Sequence, residues 1–521
     1  VISRCLAEMP HPQTKTTWLA IVAMSFCATY SQANPPQPGE SSYTLELEPF
    51  ARHTGTNAME LTYAPDGSGR VFVSTQSGQV FAYGPDGSDR GVFLDMTQAN
   101  AGFRFDHESR FPFRGLMYVA FHPDYAISDA PGFGRFYTGH QVELSEDESD
   151  FDSKEFGGLG DSDKRFLIAE WRADADNPDR IDPASYRRVM LLNFRTYANN
   201  PHALGEIAFN PDAQPGEADY GKLYIAVGDS HNGDYGKPTN LARVQQPDNP
   251  FAKILRIDPL ASGIQPYTIP DDNPFGTEVY ATGLRDAQWF SFAKDLEGET
   301  VLVACDIGAL LVEEINIIRP GGNYGWDRFE GTLDFDTDRQ LLDSARPPVV
   351  QYGHAIPARI GAKPEGGMTA IMGGLVVSDP DHPAFQGQIL FGDLPRGTLM
   401  HANYHHALTV EKTGRQSTPY ILTVKLGEKT GNFADVLGTE RGDVRLGVDE
   451  SGAVYIVSKQ TQTIFKTALV YTGKPVKSEP SIHQRESIGG TTGLVIVVGG
   501  IALLLIVMLL LAMMGAKRKP V

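Results

Sequence analysis

Apolar residues in this chain come in short runs closed by Pro, Asp and Gly, the signature of strands joined by tight turns. One stretch shows the unit clearly. Asn199 to Asp212 places His202 at the end of a loop, then the strand Glu206 to Phe209 and a Pro211-Asp212 turn; Leu223-Tyr224-Ile225-Ala226-Val227 follows as a second strand. Variants recur at Tyr63 with Val71-Phe72-Val73, at Phe121-His122-Pro123-Asp124 with Phe136-Tyr137 and at Phe292 with Val301-Leu302-Val303. Two more stand at Val377-Ser378-Asp379-Pro380 with Ile389-Leu390-Phe391 and at Val448-Asp449 with Val454-Tyr455-Ile456-Val457. Six such phrases, separated by about 60 to 90 residues, suit four-stranded sheets with decorated loops. Radial repetition deals with the exposed edges of such sheets, so the pattern predicts an all-β chain closed as a six-bladed β-propeller. Two β-sandwiches in tandem would need a linker, and none is evident between Tyr63 and Val457.

The ends carry a different pattern. Lys15 precedes the apolar run Trp18 to Met24, and Ser31-Gln32-Ala33 offers a small-residue cleavage site, so residues 1–33 read as a signal peptide. Gly493 to Ala516 holds no charged residue and is followed by Lys517-Arg518-Lys519. At about 1.5 Å per residue this run reaches about 36 Å, enough for a C-terminal transmembrane helix through a hydrocarbon core of roughly 30 Å. The basic tail, residues 517–521, then stays cytoplasmic, and the propeller, residues 45–470, stands outside on a Ser-, Gly- and Pro-containing stalk, 471–492.

Composition narrows the partners. A net charge of -19 over 521 residues argues against a nucleic-acid surface. Of three cysteines, Cys5 and Cys27 lie in the leader and Cys305 is alone, so packing rather than disulfides must stabilise the mature chain. The acidic run Ser145 to Ser153 lacks the Gly and terminal Glu of an EF-hand loop and reads as a solvated loop.

Candidate chemistry gathers just before and after strands. His202 should sit at one mouth of the propeller, and Gly228-Asp229-Ser230, Gly283-Leu284-Arg285-Asp286, Cys305-Asp306-Ile307-Gly308 and Gly321-Gly322-Asn323-Tyr324-Gly325-Trp326 put polar or glycine-rich groups after strands. Loops from successive blades converge on the axis, which lets distant residues form one site. Asp229 and Asp306 are each open to two readings, metal ligand or turn-holder, with the turn favoured.

Taken in order, Gly115 to Tyr125, Val227-Gly228-Asp229, Ala252 to Asp258, Gly283-Leu284-Arg285, Glu313-Glu314-Ile315-Asn316 and Gly321 to Trp326 resemble the glucose/sorbosone dehydrogenase family, which also includes the propeller of hedgehog-interacting proteins. The resemblance implies that pyrroloquinoline quinone, held with Ca²⁺, lies over the axis and that an aldose is oxidised at its anomeric carbon. His202 would remove the hydroxyl proton and Arg285 would stabilise charge on the quinone oxygen. An imidazole, with an unperturbed pKa of about 6.5, is neutral and basic near pH 7. Backbone carbonyls of Gly308 and Ala309 would bind calcium, and Arg285, Asp286, Ile307 and Arg441 occupy cofactor-contacting positions. Departures are visible as well: Asp286 replaces an Asn, Ile307 a Gln, Phe113-Arg114 a polar or acidic pair position, and Arg441-Gly442-Asp443-Val444 carries one arginine where many members carry two. Two functions follow. One is a membrane-anchored, extracytoplasmic sugar oxidoreductase whose electron acceptor the sequence does not name; the other is a non-catalytic propeller that binds a glycan or protein.

Overall fold

The computed structural model describes residues 37–472, apart from residues 54, 56, 100–114, 143–161, 175–176, 178, 197–201, 203, 231–243, 261–264, 355–368 and 381. The leader, residues 473–492 of the expected stalk, the C-terminal apolar segment and the acidic run Ser145 to Ser153 therefore lie outside the described residues, whereas Tyr471 still belongs to a strand. Among the described residues no helix is long and apolar enough to cross a membrane.

The chain is all-β, and among the described residues no helix is longer than the five residues Phe433–Leu437. Most of its strands fall into groups of four, of which the fifth, sixth and first below are joined edge to edge in one 13-stranded sheet. The first is Ala58–Tyr63, Val71–Thr75, Gln79–Tyr83 and Asp89–Asp95, and the second is Leu116–Phe121, Arg135–Val142, Ser162–Ala173 and Ile181–Thr196. The third is Leu204–Phe209, Leu223–Val227, Lys253–Ile257 and Val279–Thr282; the fourth is Trp289–Lys294, Thr300–Asp306, Val312–Ile318 and Val350–Gly353. The fifth is Ile371–Val376, Gln388–Asp393, Thr398–Asn403 and Tyr420–Leu426. The sixth combines Val444–Val448, Val454–Ser458 and Thr463–Tyr471 with the N-terminal strand Gly39–Arg52, which runs antiparallel to Thr463–Tyr471 and parallel to Tyr420–Leu426. Strand pairing thus begins at Gly39, ahead of the residue 45 expected from the sequence. The N-terminal strand covers an edge that would otherwise present unpaired N–H and C=O groups.

Each recurring sequence phrase is the hairpin between the first and second strand of a group. The second strands are apolar without alternation because both faces are covered: Val71–Thr75, Leu223–Val227 and Val454–Ser458 are buried at every position. One hydrophobic cluster draws Met59, Met117, Ile207, Trp289, Met372 and Leu446 from the first strands of all the groups. Each such side chain contributes about 1.5–3 kcal/mol by leaving water.

Register then decides where chemistry can collect. Ala58 pairs with Thr75, Leu116 with His140, Leu204 with Val227, Trp289 with Cys305, Ile371 with Asp393 and Val444 with Ser458. The loop entering every first strand and the loop leaving every second strand therefore share one edge. The recurring hairpin turns occupy the opposite edge.

Candidate functional site

Loops on that shared edge assemble the site. His202 precedes the strand Leu204–Phe209, and Asp229 leaves the paired strand two residues after Val227, so antiparallel register brings them together. His202 Nδ1 lies 2.8 Å from Asp229 Oδ1. The other oxygen of Asp229 accepts the Trp326 indole N–H at 3.0 Å, and its backbone N–H donates to the Arg285 carbonyl at 2.8 Å. A fully buried carboxylate with these partners holds the imidazole in one orientation and favours the tautomer with its proton on Nδ1. Nε2 is then the basic nitrogen. It stands 3.5 Å from Arg285 Nη2 and 4.0 Å from Asp286 Oδ2. At that separation the guanidinium is a weak hydrogen-bond donor to Nε2.

Arg285 and Asp286 enter the fourth group, and Asp306 closes the strand beside them. Asp306 Oδ2 accepts the Arg285 N–H at 2.8 Å and Oδ1 accepts that of Asp286 at 2.6 Å. Arg285 Nη1 donates to the carbonyls of Ile307 at 2.8 Å and Gly308 at 2.6 Å, with its guanidinium 5.6 Å from the Trp326 ring centre. Burial raises the Asp286 carboxyl above the usual range, while His202 and Arg285 pull it back. Burial likewise raises Asp306, with the neighbouring Glu314 adding to the shift.

The structure thus brings His202, Arg285, Asp286, Ile307 and Gly308 into one constellation. Ala309 contributes an N–H to Glu330 at 2.8 Å. Asp229 and Asp306 need correcting. Rather than holding local turns, Asp229 anchors His202 and Asp306 ties down the backbone carrying Arg285. Their partners lie on other loops, 27 residues away for Asp229 and 21 for Asp306.

Arg441 stands apart from this constellation, at the entry to the sixth group. Its Nη2 donates to Asp443 Oδ1 at 2.8 Å. Two cations missed from the sequence accompany it. Arg445 is buried against the Trp289 ring, 4.9 Å from its centre, and Lys459 donates to Gln76 Oε1 at 3.2 Å. Burial, then Arg445, pushes the Lys459 ammonium down to about 7. Arg445 alternates with Val444, Leu446 and Val448, a position that reads as the polar face of its strand, yet it is 1% exposed; Lys459 follows a strand end, a signal of the same kind that singled out Asp229.

The sequence model of the family described as glucose/sorbosone dehydrogenase matches residues 158–433. The chain belongs to that family. Among curated relatives, HIPL1 protein of Arabidopsis thaliana is 29% identical over 373 residues, covering 63% of this chain and 50% of its own length. HIPL2 protein of the same plant is 27% identical over 371 residues with the same coverage, so the chain spans about half the length of these curated relatives. Among solved structures, the PQQ-bound aldose sugar dehydrogenase of Streptomyces coelicolor superposes with a TM-score of 0.50 at 17% identity, covering 84% of this chain and 100% of its own. A glucose dehydrogenase gives 0.53 at 16%, covering 81% and 98%. The apo soluble aldose sugar dehydrogenase of Escherichia coli gives 0.50 at 16%, covering 82% and 100%. At such identities the likeness is one of fold, and the fold is propeller-like.

Members' cofactors can be tested against the residues present. A polyanionic quinone finds cations on the same edge in Arg285, Arg441 and Lys459. Calcium fits less well: the Gly308 carbonyl accepts Arg285, and the described residues contain no group of three or more His, Cys, Asp or Glu that could hold a metal.

Proposed function

We propose that the chain is an oxidoreductase of sugar hydroxyls, in which His202 Nε2 takes the hydroxyl proton while the carbon beneath loses a hydride. The observation that carries this reading is the chain Trp326–Asp229–His202, which leaves Nε2 turned towards Arg285. Proton removal makes the substrate oxygen anionic as hydride leaves, and the adjacent guanidinium stabilises that charge more strongly here than in water because the site is largely buried. Protonated His202 is in turn stabilised by Asp229. A quinone such as pyrroloquinoline quinone, when bound, supplies the hydride acceptor. Arg285, Arg441 and Lys459 are the residues that would hold its acidic groups, and charge-assisted hydrogen bonds from guanidinium suit carboxylates. The product is the carbonyl compound, a lactone when the substrate is an aldose oxidised at its anomeric carbon.

This reading includes closure of the six strand groups as the blades of one propeller, for which the shared apolar cluster and edge-wise register speak. It also includes a membrane anchor through Gly493 to Ala516, with the propeller outside the cytoplasm.

A second reading, a non-catalytic propeller that binds a glycan or protein, is favoured by the pairing of Arg441 with Asp443 and by Leu310, which is 64% exposed at the tip of the site loop. Quinone titration followed by aldose-dependent dye reduction separates the two. Quinone binding with turnover supports the oxidoreductase; absence of both supports the binding module.

A further inference from the structure

We propose that the guanidinium of Arg285 is this protein's resident cation at the loop Ile307–Val312, and that the site is built to operate without a divalent metal ion there. The argument starts from the direction of peptide bonds. The N–H groups of Ala309, Leu310, Leu311 and Val312 all point at Glu330 Oε1, at 2.8, 2.9, 2.7 and 3.0 Å. In a trans peptide the C=O points opposite to the N–H. With the Ala309 N–H turned to Glu330, the Gly308 carbonyl is turned the other way, and there it meets Arg285 Nη1 at 2.6 Å beside the Ile307 carbonyl at 2.8 Å. One loop therefore wraps an internal anion on one side and an internal cation on the other. Gly308 is required for the wrap, because a Cβ there would overlap the Val312 carbonyl and crowd Glu330.

Arg285 is fixed in this role. Its backbone N–H is held by Asp306 and its guanidinium lies against Trp326. Carboxylates beside the loop are committed elsewhere: both Asp306 oxygens accept backbone N–H groups, Glu330 Oε1 accepts four, and Glu313 accepts the Gly308 and Ile371 N–H groups on Oε2 while its Oε1 faces His354 Nε2 at 3.1 Å. Calcium takes six to eight oxygen ligands at roughly 2.3–2.6 Å. At that distance from the Gly308 carbonyl it would sit beside a like-charged guanidinium bound to the same oxygen. A planar guanidinium instead satisfies two converging carbonyls with charge-assisted hydrogen bonds and carries a permanent charge.

Calcium occupancy tests this without reading turnover, so the outcome is separable from failure of the oxidoreductase reading. The chain, freed of metal with EGTA, is titrated with Ca²⁺ while melting is followed, and with Tb³⁺ while emission excited through Trp326 is followed, with Trp326→Phe as the control. Wild type is expected to melt at the same temperature with and without Ca²⁺ and to give no Trp326-dependent emission. Arg285→Ala is expected to melt lower, to recover with Ca²⁺ or methylguanidinium, and to acquire the emission. Arg285→Lys, the milder variant should alanine prevent folding, keeps a cation and is expected to remain indifferent to Ca²⁺. Trp326-dependent emission from wild type, or an Arg285→Ala chain that folds and ignores both cations, would overturn the proposal.

Discussion

The two edges of the sheets each carry a histidine beside an aspartate, and they use the pair in opposite ways. At the hairpin edge, His122 is 1% exposed and its Nδ1 accepts the Asp124 N–H at 3.0 Å, while Asp124 is occupied by the Tyr220 hydroxyl. Burial pushes this imidazole down to about 4, so it stays neutral at ordinary pH. The backbone of Gly132 packs on the ring closely enough that a Cβ would overlap it. At the loop edge, His202 has a side chain 12% exposed, its Nδ1 rests on a buried carboxylate, and Nε2 faces two charged groups. The first pair is sealed and serves packing. The second is oriented from behind by a carboxylate and keeps part of its ring exposed, which is what a base requires.

Four substitutions sharpen this contrast. The largest effect should come from His202→Gln, which keeps a polar side chain and removes the base: turnover falls by about 10²–10⁴-fold, with melting within a few degrees of wild type. Asp229→Asn comes next. It keeps the shape but loses the charge that stabilises protonated His202, so the rate is expected to fall by about 10²-fold or more with quinone affinity nearly unchanged. Gly132→Ala acts on the other edge: overpacking costs about 1–3 kcal/mol, visible as a lower melting temperature with normal turnover per folded molecule. If Gly132→Ala lowered turnover without lowering stability, the division between the edges would fail. The smallest effect belongs to Arg441→Gln: the half-exposed guanidinium is lost from the buried Asp443, which keeps Gln460 as a partner, so the change is read chiefly in quinone affinity.

A pH measurement probes the core between the edges. Glu60 and Glu206, from the first strands of the first and third groups, are buried and hydrogen-bonded to each other; burial pushes Glu60 up to about 8 and raises Glu206 as well. The folded state therefore keeps a proton that the unfolded chain releases near pH 4.5, the ordinary value for Glu60. Stability from this source is complete in acid and is lost as pH rises through the folded value, between about 4.5 and 8. Glu206→Gln should flatten the fall in stability across that window; an unchanged slope would show that the pair is not its source.

Much of the fold was legible because its signals are local. The turn at Pro211-Asp212 and the unbroken run Leu223 to Val227 announce a hairpin, and the same phrase returns in every group. The placement of His202 on the loop edge of its sheet followed from the strand it precedes, and Arg285 from its motif. What stayed hidden depends on pairing across distance. Nothing near Asp229 reveals that it meets both His202 and Trp326, which are joined to it only by register. Glu330 is an ordinary acidic residue in sequence, and its role appears only once four N–H groups of another loop close on it. Glu206 shares a strand face with Leu204 and Ala208, where alternation expects an apolar side chain, and Arg445 alternates with Val444 and Leu446, where it expects a solvated one, so neither buried charge was weighed.

The central claim, that His202 is the base of a sugar oxidation at the loop edge, is tested most directly by one paired assay. Wild type and His202→Gln are each loaded with pyrroloquinoline quinone, binding is confirmed by absorbance, and reduction of an artificial electron acceptor is followed with a panel of aldoses. The account predicts equal quinone binding and aldose-dependent reduction by wild type alone. Equal rates from both proteins, or no reduction by quinone-loaded wild type with any aldose, would contradict it.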